Sequence, residues 1–362
     1  MLIPSQASDI VKSWMEGALA DHLGGARIEQ VEARRLIDPG QTSEAIDIAV
    51  RYNDDSCTLP KRYIAKLGSN DPDVIAMCDL FGHYPREVLF YQSFPDAGIP
   101  KPKCFYSACS DDGLQMVLLL EHLAPAQCPS WNPRLDQIDL ALSYLPAFHG
   151  KWWNAPELKT HKALVPISDR VLSDGFAGAA AGAEEILSVY GKTAEIAVAC
   201  IVTVSEKMER WRSYMASRNL TMIHGDYHGK QMFMPGDEGG RFAVIDWQYP
   251  FLAEGAWDLA RLLGICLSFS DWKNHLDRII NGYHGGLQEM GVSNYSKADL
   301  RDGIRMGLVV SAVIQSIAQL STDMTKIARE CEGFGLDWQE VWLGRHNRMM
   351  IDLDVEAFVR GI

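Results

Sequence analysis

"MIHGDYHGKQMF", residues 222–233, sets two histidines, an aspartate, a lysine and a glutamine between apolar residues. Such a run can be a metal cage, a catalytic loop, or a polar turn between two strands. The cage would use His224, Asp226 and His228, which share one face only in an extended chain, and no further His or Asp cluster nearby supplies closing ligands. The next informative residue is Asp246 in "FAVIDWQ", twenty positions after Asp226 and beyond the turn "PGDEGG". A hairpin of that length can bring the loop before one strand beside the end of the other. Two carboxylates and the Gln231 amide oxygen would then surround one point. That set meets the needs of Mg2+-assisted phosphoryl transfer: one acid to orient an attacking hydroxyl, and oxygen ligands for the metal.

Upstream, "YIAKLG" places Lys66 on a strand and "PREVLFYQ" places Glu87 on a helix twenty-one residues later. Alone, the first reads as a surface lysine and the second as a solvated helix residue. Together with the downstream motif they read as the strand lysine and helical glutamate with which kinases hold the α- and β-phosphates of a nucleotide.

The patterning around these residues changes once along the chain. Residues 8–22 predict an amphipathic helix with Ile10, Val11, Trp14, Ala18 and Leu19 on one face after a Ser8 or Asp9 cap. From about 27 to 67, alternating runs such as "EAIDIAVRY" and "KRYIAKL" are separated by turn residues and predict hairpin-linked strands. Residues 74–93 return to helical spacing with Tyr84, Val88 and Tyr91, and two further strand-like runs flank the turn "SDDG". After Pro125 the segments 136–154, 182–216, 254–291 and 297–332 are helical by period, with only 222–250 reading as strands and loops. "DGFAGAAAGAEE", residues 174–185, reads either as a mobile connection or as the start of an Ala-rich helix. The expectation is an α+β chain: a small sheet-rich lobe over residues 1–120 with a leading helix, a hinge at 121–127, and a large helical lobe over 128–362.

Composition bounds the partners. The 362 residues are 47% apolar, enough for a substantial core, and carry 47 acids against 34 bases. A formal charge of -13 argues against general affinity for nucleic acid or an anionic membrane. The eight cysteines show no CxxC pair, which reads as reduced, mostly buried thiols in a cytoplasmic protein. No export signal is read at the N-terminus. The richest apolar run, "MGLVVSAVIQSIAQL", is broken by Ser311, Gln315 and Ser316, so no membrane span is expected either.

The ordered motifs resemble the aminoglycoside phosphotransferase and choline kinase-like superfamily, including its ecdysteroid kinase-like branch. These are small-molecule kinases with a protein-kinase-like bilobal fold. The family's HGDxHxxN signature followed by IDW or IDF is matched by "HGDYHGKQ" and "VIDWQ". "GQTSEAIDIAV", Lys66, Glu87, "LLLEHLAP", "LPAFHGKWW" and "AWDLARLL" follow in the family's order over most of residues 35–265. The resemblance implies ATP and Mg2+, with Asp226 as catalytic base, Asp246 as principal metal ligand, and Gln231 where the family usually has a metal-binding Asn. It also implies that Lys66 holds the phosphates and that Glu87 orients Lys66. Gly40, Gln41, Thr42 and Ser43 would close over the phosphates, the backbone of Glu121 and Leu123 would bond the adenine edge, and Ile64 and Phe233 would sandwich the ring.

Gln231 is a departure from the pattern, because its amide oxygen stands one methylene further from the backbone than that of Asn. The alternative to an active kinase is therefore a pseudokinase or nucleotide-binding interaction module. Gly225 precedes Asp226 where activation-loop-regulated protein kinases place an Arg, and no "APE" follows Asp246. About eleven residues lie between Asp246 and Asp258, too few for a long peptide-docking segment, so a small hydroxylated acceptor is expected. The acids Asp337, Glu340, Asp352 and Asp354 could line an aminoglycoside pocket, whereas the apolar stretch after Asp246 looks closer to kinases of lipophilic alcohols or steroids. His122 and His149 read as structural, Asp258 as a brace for the catalytic loop, and His228 as lining the acceptor site or solvated.

Overall fold

The computed structural model describes residues 1–36, 42–54, 56–321 and 323–362. The chain forms two compact units, Met1–Gln127 with Pro235–Tyr249, and Cys128–Met234 with Pro250–Ile362. Strands gather in the first and helices in the second, the α+β division expected from the patterning.

The first unit is built on five antiparallel strands, β1 (Ile28–Arg35), β2 (Ser43–Tyr52), β3 (Arg62–Gly68), β4 (Cys104–Cys109) and β5 (Met116–Glu121), in the order β1-β2-β3-β5-β4. The period of two decides what each face carries. On β3, Tyr63, Ala65 and Leu67 are fully buried in a core with Trp14, Met15, Ile46, Ile48 and Leu119, so Ile64 and Lys66 emerge on the opposite face. The leading helix is shorter than the sequence predicts: a 3-10 turn, Ala7–Asp9, is followed by α1 (Lys12–Ala18). Val11 is extended between the two and half exposed, and Met15 takes its place in the core. The helical region after β3 divides at Gly82 into α2 (Pro72–Phe81) and α3 (His83–Ser93). On α3, His83, Glu87 and Phe90 are buried at helical spacing beside Tyr84, Val88 and Tyr91. The Pro235–Tyr249 segment is tied into this unit by Val244 N–H, which donates to the Pro100 carbonyl at 2.8 Å, and by Trp247, whose ring stacks on Phe90 with centroids 4.2 Å apart.

In the second unit α4 (Leu135–Lys151) leads to a short strand β6 (Val165–Pro166) and the helices α5 (Arg170–Ala181), α6 (Ala183–Tyr190), α7 (Glu195–Glu206) and α8 (Met208–Ala216). The Gly/Ala-rich stretch from 174 is thus largely helix. The run expected to be helical over 182–216 is interrupted by a 3-10 turn at Gly191–Ala194. β7 (Thr221–Ile223) pairs antiparallel with β8 (Phe251–Ala253), which pairs parallel with β6. The chain continues through α9 (Ala256–Cys266), α10 (Phe269–Glu289), α11 (Lys297–Ser321), α12 (Thr325–Gly333), a π turn, α13 (Arg345–Asp352) and α14 (Val355–Gly361).

Every residue of α9 is buried, Asp258 and Arg261 included, so this helix is the centre of the unit and not a surface element. Its close packing on α11 depends on Gly307, where a Cβ would lie 2.7 Å from that of Ala260 and 2.9 Å from the Trp257 Cα. Two stretches, Ala183–Glu206 and Lys297–Ser321, are long and apolar enough by composition to cross a membrane. Two-thirds of the apolar window of the second, 67%, is buried inside the protein, as in a core helix.

Candidate functional site

Two of the sequence-predicted residues of the first unit, Glu87 and Asp246, meet at Lys66. Its Nζ donates to Glu87 Oε1 and Oε2 at 2.8 and 2.7 Å and to Asp246 Oδ1 at 2.5 Å. Glu87 also accepts the Trp247 N–H at 3.2 Å, so the stack of Trp247 on Phe90 and this bond hold the residue after Asp246 against α3. Asp246 has φ of 66°, a left-handed conformation uncommon for a residue with a side chain. Its Oδ2 accepts from Gln248 Nε2 at 3.4 Å, and Gln248 Oε1 accepts the Thr42 hydroxyl at 3.0 Å. The Thr42 carbonyl is held in turn by the Tyr84 hydroxyl at 2.7 Å.

One ammonium thus serves two carboxylates. Burial alone would lower the Lys66 pKa, but Asp246 and Glu87 outweigh it and hold the ammonium charged. Burial pushes the Glu87 carboxyl up, against the pull of Lys66.

Ser43 pairs with Gly68 at the start of β2, and Ile64 is half-buried on the face that carries Lys66. Gly40 and Gln41 lie outside the described residues. Glu121 closes β5 with its carboxylate clamped by Arg241, 2.5 Å from Nη2, and by the Lys103 N–H at 3.0 Å. The Glu121 N–H donates to the Lys103 carbonyl, and the buried Leu123 accepts from Ala126 N–H through its carbonyl. The Glu121–Arg241 pair was not foreseen in the sequence.

In the second unit β7 delivers the chain into the loop over residues 224–230. Gly225 has φ of 82°, a conformation that costs a side-chain-bearing residue about 1 kcal/mol or more. It turns the backbone so that successive amides meet one acid: Asp258, fully buried on α9, accepts the His224 N–H at 2.7 Å and the Gly225 N–H at 2.9 Å. His149 of α4 completes this brace, with Nε2 3.3 Å from Asp258 Oδ2 and Nδ1 2.7 Å from the Tyr283 hydroxyl. The Tyr227 hydroxyl donates to the Ala141 carbonyl at 2.9 Å and anchors the loop to α4.

Asp226 is then surrounded by donors. Its Oδ1 lies 3.0 Å from Arg261 Nε, 2.8 Å from Arg261 Nη2 and 3.2 Å from His228 Nε2. Its Oδ2 accepts from Gln231 Nε2 at 3.0 Å. The His228 tautomer follows from its other nitrogen: Nδ1 accepts the Lys230 N–H at 3.2 Å, so the ring proton is on Nε2, the nitrogen 3.2 Å from Asp226 Oδ1. Burial lowers the His228 pKa, which keeps the ring neutral. Burial would raise Asp226, yet His228, Arg261 and Gln231 together hold its carboxyl well below the usual range, with the Arg261 guanidinium supplying the permanent positive charge.

His228 is buried and stacked on Trp131 at 5.1 Å, which corrects the expectation that it could be solvated. Trp131 donates to Glu330 at 2.7 Å, and Glu330 pairs with Lys230 at 2.9 Å. Phe233, half-buried, follows Met232 in a two-residue strand. No group of three His, Cys, Asp or Glu side chains among the described residues is disposed to hold a metal, and the Arg261 fork on Asp226 repels a cation from the rival His-Asp-His cage.

Arg261 is the residue that sequence reasoning missed. Its signal was its spacing: on a helix it lies one turn after Asp258, so a brace at Asp258 implies that position 261 also faces the loop.

A strand lysine tied to a helical glutamate and an aspartate, and a helical unit carrying a braced HGD loop, define the class: a small-molecule kinase of protein-kinase-like fold. The chain belongs to the ecdysteroid kinase-like family, whose model matches residues 41–293. No curated protein matches the sequence. Among solved structures it is similar to a Ralstonia eutropha protein assigned as an aminoglycoside phosphotransferase, at 12% identity over 96% of this chain and 97% of that one, with a TM-score of 0.52. A Plasmodium vivax ethanolamine kinase matches at 14% identity over 91% and 83% of the two chains, with a TM-score of 0.51. Choline kinase from Cryptosporidium parvum matches at 12% identity over 91% and 93%, with a TM-score of 0.50. At these identities the likeness establishes the fold, and the family model carries the kinase class.

Proposed function

We propose that this protein transfers the γ-phosphoryl group of ATP to a hydroxyl of a small molecule. The observation that carries the reading is the contact of Lys66 with both Glu87 and Asp246, residues 21 and 180 positions away in the sequence, at 2.5–2.8 Å. In the proposed reaction the acceptor oxygen forms a bond to the γ-phosphorus while the bond from that phosphorus to the β,γ-bridging oxygen breaks and ADP leaves. Asp226 orients the acceptor hydroxyl and receives its proton, and Lys66 offsets phosphate charge. Asp246 and the Gln231 amide are hard oxygen donors of the kind Mg2+ accepts beside phosphates and water, and they are the residues that would hold it. The ion would neutralise charge on the phosphates. Thr42 and Ser43 would cover the phosphates, Glu121 and Leu123 would meet the adenine edge, and Ile64 and Phe233 would cover its faces.

The family's name points to a lipophilic polyhydroxylated alcohol of the ecdysteroid kind as acceptor. Support comes from three of the four acids that an aminoglycoside pocket would have used. Glu340 is paired with Arg348, Asp352 with Lys273 and the Trp272 indole, and Asp337 caps the Gln339 N–H. The side chains packed beside His228 are instead aromatic, with Trp131 stacked on His228 and Trp342 edge-on to Trp131.

The test is titration calorimetry with ATP, with and without Mg2+, followed by transfer of labelled γ-phosphate to a panel of hydroxylated acceptors. Asp226→Asn is expected to abolish transfer with nucleotide affinity retained, and Asp246→Ala to lose both transfer and Mg2+-dependent binding. Normal turnover by either variant would refute these roles, and binding without transfer to any acceptor would favour a pseudokinase.

A further inference from the structure

The donors around Asp226 are unevenly shared. A carboxylate oxygen has two lone-pair directions in its plane, so two oxygens present about four acceptor positions. Among the described residues, Oδ1 receives two N–H groups, both from Arg261, with His228 Nε2 a further 3.2 Å contact, whereas Oδ2 receives one, from Gln231. The group with capacity left is Oδ2.

The guanidinium that creates this asymmetry is itself immobilised. Arg261 Nη1 donates to the Ser311 hydroxyl at 3.0 Å and reaches the Ser311 carbonyl at 3.3 Å. The Ser311 hydroxyl lies 2.8 Å from Nε2 of the fully buried His346. Ser311 stands one turn beyond Gly307, where α11 packs closely on α9, so the anchor of the guanidinium lies on a closely packed pair of helices. A planar fork held at both ends cannot follow the carboxylate, and the carboxylate must conform to the fork.

We infer that Arg261 is the positioning residue for Asp226: it captures Oδ1 and leaves Oδ2 as the oxygen that receives the acceptor hydroxyl. The inference rests on the proposed role of Asp226 and adds to it the residue through which α9 and α11 set the direction of that hydroxyl. A neutral or shorter side chain at 261 would leave the carboxylate free to rotate, and a misplacement of about 1 Å at a reacting group costs on the order of 100-fold in rate.

The experiment measures Mg2+-dependent ATP hydrolysis, with water as acceptor, together with ADP affinity by calorimetry and thermal unfolding. It compares wild type, Arg261→Gln, Arg261→Lys, Asp226→Asn and the double variant Arg261→Gln/Asp226→Asn. Arg261→Gln is expected to lower kcat by about 100-fold while ATP KM and ADP affinity stay within about two-fold. Arg261→Lys regains part of the rate, and the double variant is no slower than Asp226→Asn alone. Wild-type kcat in Arg261→Gln, or losses that add in the double variant, would overturn the inference. Should Arg261→Gln fail to fold, Ser311→Ala removes only the hydroxyl anchor; a several-fold lower kcat at unchanged KM is expected, and an unchanged kcat counts against the inference. Failure of the underlying reading is separately visible, since Asp226→Asn would then hydrolyse ATP at the wild-type rate.

Discussion

Asp258→Ala tests whether the brace beneath the HGD loop is as strong as its geometry implies. The wild-type carboxylate is fully buried and accepts two backbone N–H groups, from His224 at 2.7 Å and Gly225 at 2.9 Å, with His149 Nε2 at 3.3 Å as a third contact. Alanine removes the acceptor and leaves those donors facing a small cavity. Each donor stranded in the interior costs about 1–3 kcal/mol. His224 and His149 are fully buried, and the Gly225 amide is the most able to recruit water. Two full penalties and a partial one give a loss of about 3–6 kcal/mol, a large part of the typical 5–15 kcal/mol of a folded domain. The assay is urea unfolding at 25 °C followed by tryptophan fluorescence, with Asp258→Asn as a companion that keeps one oxygen and should lose less. A loss below about 1 kcal/mol in Asp258→Ala would mean that water or other groups already satisfy these amides, and the brace would not exist in the sense described.

Lys66→Met is expected to destabilise the first unit by about 3–5 kcal/mol, because Glu87 is 1% exposed and would lose its counter-charge; adding Glu87→Gln should recover part of the loss in the same urea assay. His83 is fully buried, neither of its ring nitrogens has a partner among the described residues, and burial pushes its pKa down to about 4 from 6.5. The unfolded chain therefore takes up a proton that the folded chain refuses. This stability is intact above about pH 6.5, is lost as pH falls towards 4, and amounts to about 3 kcal/mol. His83→Phe should flatten the stability–pH curve over that window, and an unchanged slope would refute the assignment. Gln231→Asn, which shortens the amide to the length usual in the motif, is expected to lower the Mg2+ concentration needed for half-maximal nucleotide binding, measured by calorimetry at several Mg2+ levels.

Local patterns carried most of the fold. Alternation along "RYIAKLG" follows from the pleat, so the side of β3 that bears Lys66 is legible once Tyr63, Ala65 and Leu67 are read as core. The helical period of "HYPREVLFYQS" likewise predicts a helix through Tyr84, Val88 and Tyr91, whereas the burial of Glu87, which alone reads as solvated, is seen only in α3 itself. The ends of elements were less legible. The apolar pattern runs on through Val11 and predicts it on the core face of a helix, but the chain there breaks between a 3-10 turn and α1. The run over 182–216 hides its interruption at Gly191–Ala194 because its apolar residues continue through the turn.

The sequence by itself determined the division into a sheet-rich and a helix-rich portion, the motif order that marks the family, and the kind of element on which Lys66, Glu87 and Asp258 lie. These follow from backbone sterics that repeat every two or 3.6 residues and need no distant partner. Tertiary structure decided which charges meet. Spacing one turn after Asp258 could turn Arg261 toward the loop, but nothing in the sequence names Asp226, 35 residues away, as its partner, and nothing near Glu121 singles out Arg241, 120 residues away. Those choices are made only when helices pack, because a buried carboxylate accepts whichever cation the packing of its neighbours can hold in place, as α11 holds Arg261 through Ser311.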